Sequence, residues 1–151
     1  MIIVTGGSGM IGSNLINKLN KINRNDIIIV DDLKDGYKSK NLGDLDFYDY
    51  LDKDDFINLI SNNKFSEKID TVFHQGACST TTEWNGKFIM KNNYEFSKIL
   101  LNWCQENCVQ FIGASSASVY GLGEKGFVEK RDCENPINMY AFSKFQFDQY
   151  I

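Results

Sequence analysis

The chain has 151 residues, of which 42% are hydrophobic and 24% are charged, with a single proline. These proportions are typical of one globular domain and exclude a collagen-like or disordered chain. The formal net charge of −4 argues against a general nucleic-acid binder, because such proteins present a basic surface.

Neither a leader nor a membrane span is expected. Four apolar residues without a basic leader precede Thr5, which does not fit a signal peptide. No apolar run approaches the roughly 18 residues of a transmembrane helix. We therefore expect a cytoplasmic protein whose four cysteines are reduced thiols. The cysteines lack the paired spacing of a zinc site and His74 is the only histidine, so we expect no metal.

Short β-like runs alternate with helical stretches in the first half of the chain. This alternation predicts an α/β fold, a doubly wound parallel sheet with helices on both faces. IIVTG predicts the first strand, MIGSNLINKLN the first helix, and DIIIV a second strand buried on both faces. Residues 42–45 predict a short third strand. DKDDFINLISNN predicts a helix that begins at Asp52 or Asp54.

The second half continues the same alternation. IDTVFHQGA predicts a fourth strand, residues 83–107 a long helix, and VQFIGASSASVYG a fifth strand that runs into a turn. Asn135 and Pro136 predict the N-cap and first residue of a last helix. We expect the loop at residues 121–135 to cover or flank a site. Because a complete sheet of this kind has six strands, we predict an incomplete Rossmann-like, NAD(P)-binding domain over residues 1–151.

The segment TGGSGMIG, residues 5–12, follows the first strand and opens the first helix. Gly6, Gly9 and Gly12 permit a tight turn, close approach of a pyrophosphate to bare backbone, and close helix-on-strand packing. The helix N-terminus supplies unpaired N–H groups and a partial positive charge. A glycine triplet alone could be an ordinary turn, but the strand–loop–helix context favours a dinucleotide site.

Two acids end the second predicted strand. Asp31 and Asp32 can accept hydrogen bonds from the adenosine ribose hydroxyls, which is the usual arrangement for NAD. Lys38 follows closely and could instead meet the 2′-phosphate of NADP, so both cofactors remain open. The neighbouring Lys34 and Lys40 are as readily explained as parts of a solvated loop.

The segment HQGACS, residues 74–79, ends the fourth predicted strand at the edge where ligands bind. Gly76 and Ala77 are small enough to let a cofactor approach, whereas His74 is better explained as a packed strand residue than as a base. Asn92 lies one turn before Phe96, so we predict that it points toward the apolar side. A buried amide there could serve a structural water or a catalytic network equally well.

The last predicted helix carries Tyr140 and Lys144, which share a face at positions i and i+4. An ammonium there, with a positive nicotinamide, favours tyrosinate over tyrosine. Tyr140 could then exchange a proton with a substrate hydroxyl while Ser116, after the fifth strand, hydrogen-bonds the same oxygen. A tyrosine and a lysine four apart are common by chance, but not in this order after a glycine loop.

The motifs TGGSGMIG, the acidic pair, SSAS and YAFSK together resemble the extended short-chain dehydrogenase/reductase superfamily. Within it, DDLKDGYKSKNLGDLD, HQGACSTTTEWNGKFIMKNNYEFSK and INMYAFSKFQFDQY resemble the ADP-L-glycero-D-manno-heptose 6-epimerases of lipopolysaccharide inner-core synthesis. The resemblance covers the whole chain. It implies inversion at C6″ of an ADP-linked heptose by transfer of a hydride to NADP and back.

The resemblance also implies residue roles. Tyr140 would be one of two acid/base residues, with Ser116 assisting and Lys144 completing the catalytic set. The implied NADP contacts are Met10, Ile11, Asp31, Asp32, Lys38, Lys53, Gln75, Gly76, Ala77, Cys78, Ser79, Asn92 and Lys144. The matching Lys38 favours NADP over NAD.

The family's second base, a lysine, and nearly all of its sugar-binding domain would lie beyond Ile151. We therefore expect this chain to be the cofactor half of an enzyme that forms homo-oligomers when full length, and to be inactive alone. The alternatives are a non-catalytic nucleotide-binding remnant, or another nucleotide-sugar epimerase or dehydratase. Dehydratases of this group usually carry Thr-Asp-Glu where this chain has Ser-Ala-Ser at 116–118, which favours the epimerase.

Overall fold

The computed structural model describes all 151 residues, and the chain divides into two compact units. The sheet unit comprises Met1–Gly76 and Ile99–Gly113. The helical unit comprises Ala77–Lys98 and Ala114–Ile151.

A five-stranded parallel sheet forms the centre of the sheet unit. Its strands are β1 (Ile2–Thr5), β2 (Ile27–Asp31), β3 (Asp49–Asp52), β4 (Thr71–His74) and β5 (Gln110–Gly113). They lie in the order β3-β2-β1-β4-β5, and every neighbouring pair is parallel. This order reproduces the first five positions of the six-stranded dinucleotide-binding sheet. The predicted Rossmann-like fold and its number of strands are confirmed.

Five α-helices accompany the sheet. The sheet unit contains α1 (Met10–Asn20), α2 (Lys53–Ser61) and most of α4 (Phe96–Glu106), whose first residues belong to the helical unit. The helical unit also contains α3 (Gly86–Ile89) and α5 (Met139–Tyr150). None of the helices combines the length and the apolar composition that crossing a bilayer requires.

The core of the sheet unit lies on both faces of β1 and β2. One face packs against α1 in a cluster made of Ile2, Val4, Ile16, Ile27 and Ile29. Because successive strand residues point to opposite faces, Ile3, Ile28 and Val30 face the other side, where each is at most 1% exposed. A strand that is covered on both faces needs apolar residues at every position, which explains the uninterrupted run in β2.

The third strand lies later in the chain than residues 42–45, so that prediction is wrong. Leu42 and Leu45 lie in turns, each with its N–H bonded to a carbonyl three residues earlier, and their side chains pack against the α1 cluster from there. The strand is β3, which pairs with β2 at the edge of the sheet and is partly exposed. An edge strand needs less apolar sequence than a central one, so Asp-Tyr-Leu-Asp gave no clear signal.

Side-chain caps decide where α2 and α5 begin. Asp52 caps α2 by accepting a hydrogen bond from the Asp54 N–H at 2.8 Å, which confirms the first of the two predicted starts. In contrast, α5 does not begin at Asn135 and Pro136. Asn138 is its N-cap and accepts from the Ala141 N–H at 2.8 Å, whereas the Asn135 N–H is bonded to the Val119 carbonyl.

The long helix predicted over residues 83–107 begins later and is interrupted. Asn85 caps α3, so the helix starts at Gly86. Between α3 and α4 the segment Met90–Glu95 forms a π-helix, in which the Phe96 N–H bonds to a carbonyl five residues earlier. A π turn is wider than an α turn and changes which residues lie on a given face.

Because the π turn shifts the helical phase, the buried amide is that of Asn93 and not that of Asn92. Asn93 is 2% exposed, whereas Asn92 is partly exposed and donates a hydrogen bond to the Phe88 carbonyl at 2.8 Å. The prediction that Asn92 points into the apolar side is therefore wrong, because it assumed an uninterrupted α-helical spacing back from Phe96.

Three aromatic rings pack together in the sheet unit. Phe56 of α2 is fully buried and meets Phe65 at 5.4 Å and Trp103 of α4 at 6.3 Å between ring centroids, both edge to face. Phe65 and Trp103 also meet edge to face, at 5.7 Å. Such pairs contribute beyond the apolar area that they bury.

We expect Phe56→Ala to lower the free energy of unfolding by about 3–5 kcal/mol, because it leaves a cavity beneath two rings. Urea unfolding followed by circular dichroism measures the loss. Ile22→Ala is the control, since Ile22 is 67% exposed and its truncation should change stability by less than about 0.5 kcal/mol. Equal unfolding midpoints for the two variants would contradict the role of the ring cluster.

Candidate functional site

The carboxyl ends of β1 and β4 meet with backbone against backbone. Gly6 follows β1 with φ of +68°, and a Cβ there would lie 2.7 Å from the Cα of Gly76. Thr5 Oγ1 lies 2.6 Å from His74 Nδ1 and accepts a hydrogen bond from the Gly76 N–H at 3.1 Å. The only histidine is therefore a buried strand residue that holds this junction.

The glycine loop is crowded at Gly12 and much less crowded at Gly9. A Cβ on Gly12 would lie 2.2 Å from the Gly6 carbonyl oxygen, whereas one on Gly9 would meet only that oxygen, at 3.2 Å. Gly9 is the N-cap of α1, and neither a side-chain cap nor an acidic residue compensates this helix end. Bare backbone at an uncompensated helix N-terminus fits the pyrophosphate of a dinucleotide.

Ser8 connects this loop to the second strand. Its N–H donates to Asp31 Oδ2 at 2.8 Å, and its carbonyl accepts from Asn41 Nδ2 at 2.8 Å. Its hydroxyl oxygen is buried and has no hydrogen-bond partner. An unsatisfied buried hydroxyl is uncommon in a folded protein. Ser8 therefore holds the loop through its backbone and not through its hydroxyl.

Asp31 is committed to the protein on both carboxylate oxygens. Besides Ser8, it accepts from the Asp32 N–H at 2.6 Å and from Lys38 Nζ at 3.2 Å, and its side chain is only 7% exposed. Lys38 Nζ also donates to the Asp32 carbonyl at 3.1 Å. Asp31, which favours NAD, and Lys38, which favours NADP, therefore form an ion pair with one another.

Asp32 is the more accessible of the two acids, with its side chain 24% exposed. Its carboxylate lies 3.3 Å from Lys34 Nζ and 3.9 Å from Lys53 Nζ. Burial opposes its ionisation, but the Lys34 N–H and both ammonium groups outweigh that effect and hold the pKa of Asp32 below its usual value. Lys34, Lys38 and Lys53 thus lie beside this pair of acids, and their ammonium groups are suited to bind a phosphate.

The segment after β4 is held by an amide in the helical unit. Asn93 Oδ1 accepts from the Cys78 N–H at 2.8 Å, and Asn93 Nδ2 donates to the Cys78 carbonyl at 3.0 Å. Nδ2 also donates to Ser143 Oγ on α5 at 2.9 Å. Asn93 therefore fixes residues 77–79 to α5. Sequence analysis missed it because the π turn places Asn93, rather than its neighbour, on the buried face.

The residues predicted to transfer protons lie on α5 and on the chain that follows β5. Lys144 is 5% exposed and donates from Nζ to the Ala114 carbonyl at 2.8 Å. Burial lowers the pKa of Lys144, and the carboxylate of Asp148 opposes that change. Tyr140 stands one turn earlier and is half-buried. Ser116 Oγ lies 2.7 Å from Ser118 Oγ.

The two units divide the predicted site residues between them. The sheet unit holds Gly6, Gly9, Met10, Ile11, Gly12, Asp31, Asp32, Lys38, Lys53, Gln75 and Gly76. The helical unit holds Ala77, Cys78, Ser79, Asn92, Ser116, Tyr140 and Lys144. Within the sheet unit the structure brings together the glycines of the loop with Gly76, and the acids with their lysines. No group of three or more His, Cys, Asp or Glu side chains could hold a metal ion.

Comparison with known families supports a dinucleotide-binding site. The model of the NAD dependent epimerase/dehydratase family matches residues 2–151, which is nearly the whole chain. The match includes the glycine loop, the acidic pair and the Tyr140–Lys144 pair.

Several solved structures share the fold. The ADP-L-glycero-D-manno-heptose-6-epimerase of Helicobacter pylori is 28% identical with a TM-score of 0.80, and the alignment covers 99% of this chain and 49% of that one. The UDP-glucose 4-epimerase of Thermotoga maritima is 26% identical with a TM-score of 0.77, over 99% and 49%. MoeE5, solved with UDP-glucuronic acid and NAD, is 27% identical with a TM-score of 0.75, over 98% and 47%. The chain spans about half the length of these proteins.

We expect Gly12→Ala to cost about 1–3 kcal/mol of stability or more and to abolish NAD(P) binding, because its Cβ would collide with the Gly6 carbonyl. Gly36→Ala is the matched control, since a Cβ there meets nothing within 4 Å. Thermal unfolding and calorimetric titration with the dinucleotide measure both effects. Normal binding by a folded Gly12→Ala chain would show that the loop does not form the cofactor site.

Proposed function

The chain belongs to the NAD dependent epimerase/dehydratase family, and we propose that it is the cofactor-binding half of a nucleotide-sugar epimerase. Its substrate in the whole protein is ADP-glycero-manno-heptose, inverted at C6″ for the supply of heptose to lipopolysaccharide. The observation that carries the proposal is the buried Lys144, one helical turn from Tyr140, in a chain that also has an open glycine loop. Its resemblance to the ADP-heptose epimerases supports the choice of sugar, as does its likeness to the Helicobacter pylori enzyme.

NADP is the cofactor that we propose. The Asp31 carboxylate would repel a 2′-phosphate, but here the Lys38 ammonium balances its charge and two backbone N–H groups bind its oxygens. Lys38 and Lys53 would hold the 2′-phosphate, and the N–H groups at the start of α1 would donate to the pyrophosphate. The carboxylate of Asp32 is the accessible acceptor for a ribose hydroxyl.

The helical unit supplies the proton transfer. A bound nicotinamide supplies the acceptor and donor of the hydride that leaves and returns to the sugar carbon. The Tyr140 phenolic oxygen takes the proton of the sugar hydroxyl as the carbonyl forms, and gives a proton back when the hydride returns. Lys144 favours the phenolate by its positive charge, and Ser116 donates a hydrogen bond to the sugar oxygen.

We expect Lys38→Ala to weaken NADP binding by about 10- to 100-fold, since a charge-assisted hydrogen bond contributes about 1.5–3 kcal/mol. NAD binding should change little, because NAD has no 2′-phosphate. Calorimetric titration of the 151-residue chain with each nucleotide measures both affinities.

Lys40→Ala is the matched control for this experiment. Lys40 is exposed and lies over the Tyr37 ring at 5.2 Å, so its removal should leave both affinities within about twofold of the parent. Equal losses for NADP and NAD in Lys38→Ala would mean that Lys38 supports the loop and does not read the phosphate. No binding of either nucleotide by the folded parent chain would overturn the cofactor proposal.

We expect Tyr140→Phe, in a protein that joins this chain to a sugar-binding domain, to lower turnover of ADP-heptose by at least about 100-fold, which is typical for the loss of a general acid–base group. NADP affinity should be kept, because the phenolic oxygen acts on the sugar. Turnover is measured by separating the two heptose epimers, and affinity by titration. If the variant lost NADP binding and turnover in parallel, the result would show that Tyr140 is mainly a cofactor contact.

A further inference from the structure

The face of α5 that carries the tyrosine–lysine pair continues for one further turn. Tyr140, Lys144 and Asp148 follow one another at intervals of four, so all three share a face. The proposed proton transfer uses the first two and leaves the carboxylate without a role. Asp148 Oδ2 accepts a hydrogen bond from Ser115 Oγ at 2.5 Å.

Two polar contacts hold the chain after β5 against α5. Lys144 Nζ donates to the Ala114 carbonyl at 2.8 Å, and the next residue, Ser115, donates to Asp148. The residue after that is Ser116, and the 3₁₀ turn Ala117–Tyr120 that follows also packs against α5. The position of Ser116 along the helix is therefore set by the two residues immediately before it.

The adjacent residues Ser115 and Ser116 have different hydrogen-bond partners. The Ser115 hydroxyl is committed to Asp148, whereas the Ser116 hydroxyl lies 2.7 Å from Ser118 Oγ and accepts from the Ser118 N–H at 3.2 Å. The partner of Ser116 is a neutral hydroxyl, so a ligand oxygen could replace it without leaving a charged group unpaired. The sequence Ser-Ser by itself does not distinguish them.

The charges on this face depend on one another. Burial lowers the pKa of Lys144 and the Asp148 carboxylate opposes it. Burial likewise raises the pKa of Asp148, with the Ser115 hydrogen bond and the Lys144 ammonium acting in the opposite direction. Glu134 adds to the rise and Arg131 reduces it, and these two also pair with each other at 3.2 Å.

We propose that Asp148 is a positioning residue for the tyrosine–lysine pair. Its carboxylate fixes Ser115, and so the approach to Ser116, against α5, and its charge opposes the effect of burial on Lys144 and so favours the ammonium form. The catalytic meaning of this arrangement rests on the proposed function. The contacts themselves belong to the chain with no ligand bound, so they are tested without cofactor or substrate.

Titration of the lysine side-chain nitrogens by ¹⁵N NMR in the labelled chain tests the proposal, with the Lys144 signal assigned from its loss in Lys144→Arg. We expect Asp148→Asn to shift the Lys144 titration to lower pH, since burial then acts unopposed. Ser115→Ala should leave it in place, because the charge remains when the hydrogen bond is lost. Asp132→Asn is the control, as an exposed carboxyl of the same unit.

An unchanged Lys144 titration in Asp148→Asn would overturn the proposal, and so would an equal shift in Ser115→Ala, which would point to packing instead of charge. If Asp148→Asn fails to fold, the reciprocal measurement decides. Lys144→Gln should move the titration of the Asp148 carboxyl carbon to higher pH, and no movement overturns the proposal. A chain that binds no NADP but shows these shifts would refute the proposed function and leave Asp148 as assigned.

Discussion

The close approach of Gly6 and Gly76 is the constraint on which the sheet unit depends. With no room for a Cβ between the carboxyl ends of β1 and β4, the chain can leave β1 only along one path. That path brings Gly12 against the Gly6 carbonyl and fixes where α1 begins. A helix end without cap or acid then stands at the edge of the sheet where parallel strands present their ligands. Steric exclusion therefore shapes the proposed anion site before any ligand is present.

Polar and charged contacts in the sheet unit hold the glycine loop against β2. The Ser8 N–H ties the glycine loop to Asp31, and Lys38 balances the charge of that acid. A buried aspartate that is bonded on both oxygens acts as a structural acceptor, so its presence after β2 does not by itself select NAD. In the helical unit a buried amide has the corresponding role, because the Asn93 side chain bonds both the N–H and the carbonyl of Cys78. In each unit, buried polar groups hold loops that regular secondary structure leaves unsupported.

Features whose signal lies within a few adjacent residues could be predicted from the sequence. The glycine loop, the continuous apolar β2 and the Asp52 cap belong to this class, as does the Tyr140–Lys144 spacing. Features that depend on a distant partner could not. β3 is a strand because β2 offers it an edge, and Asn93 is buried because a π turn alters the helical phase. Ser115 and Asp148 lie 33 residues apart in the chain, so only the fold brings them together.

The crowding around Gly6, Gly12 and Gly76 also has a genetic consequence. Every amino-acid change at a glycine codon, whether in its first or second nucleotide, introduces a residue that carries a Cβ. At Gly6 and Gly12 that atom would lie within 2.7 Å of neighbouring backbone, and at Gly76 within 3.1 Å, so every replacement crowds the backbone. Gly36 and Gly43, where an added Cβ meets nothing or only one atom at 4.0 Å, are free to drift. Two classes of glycine in one chain should thus evolve at very different rates.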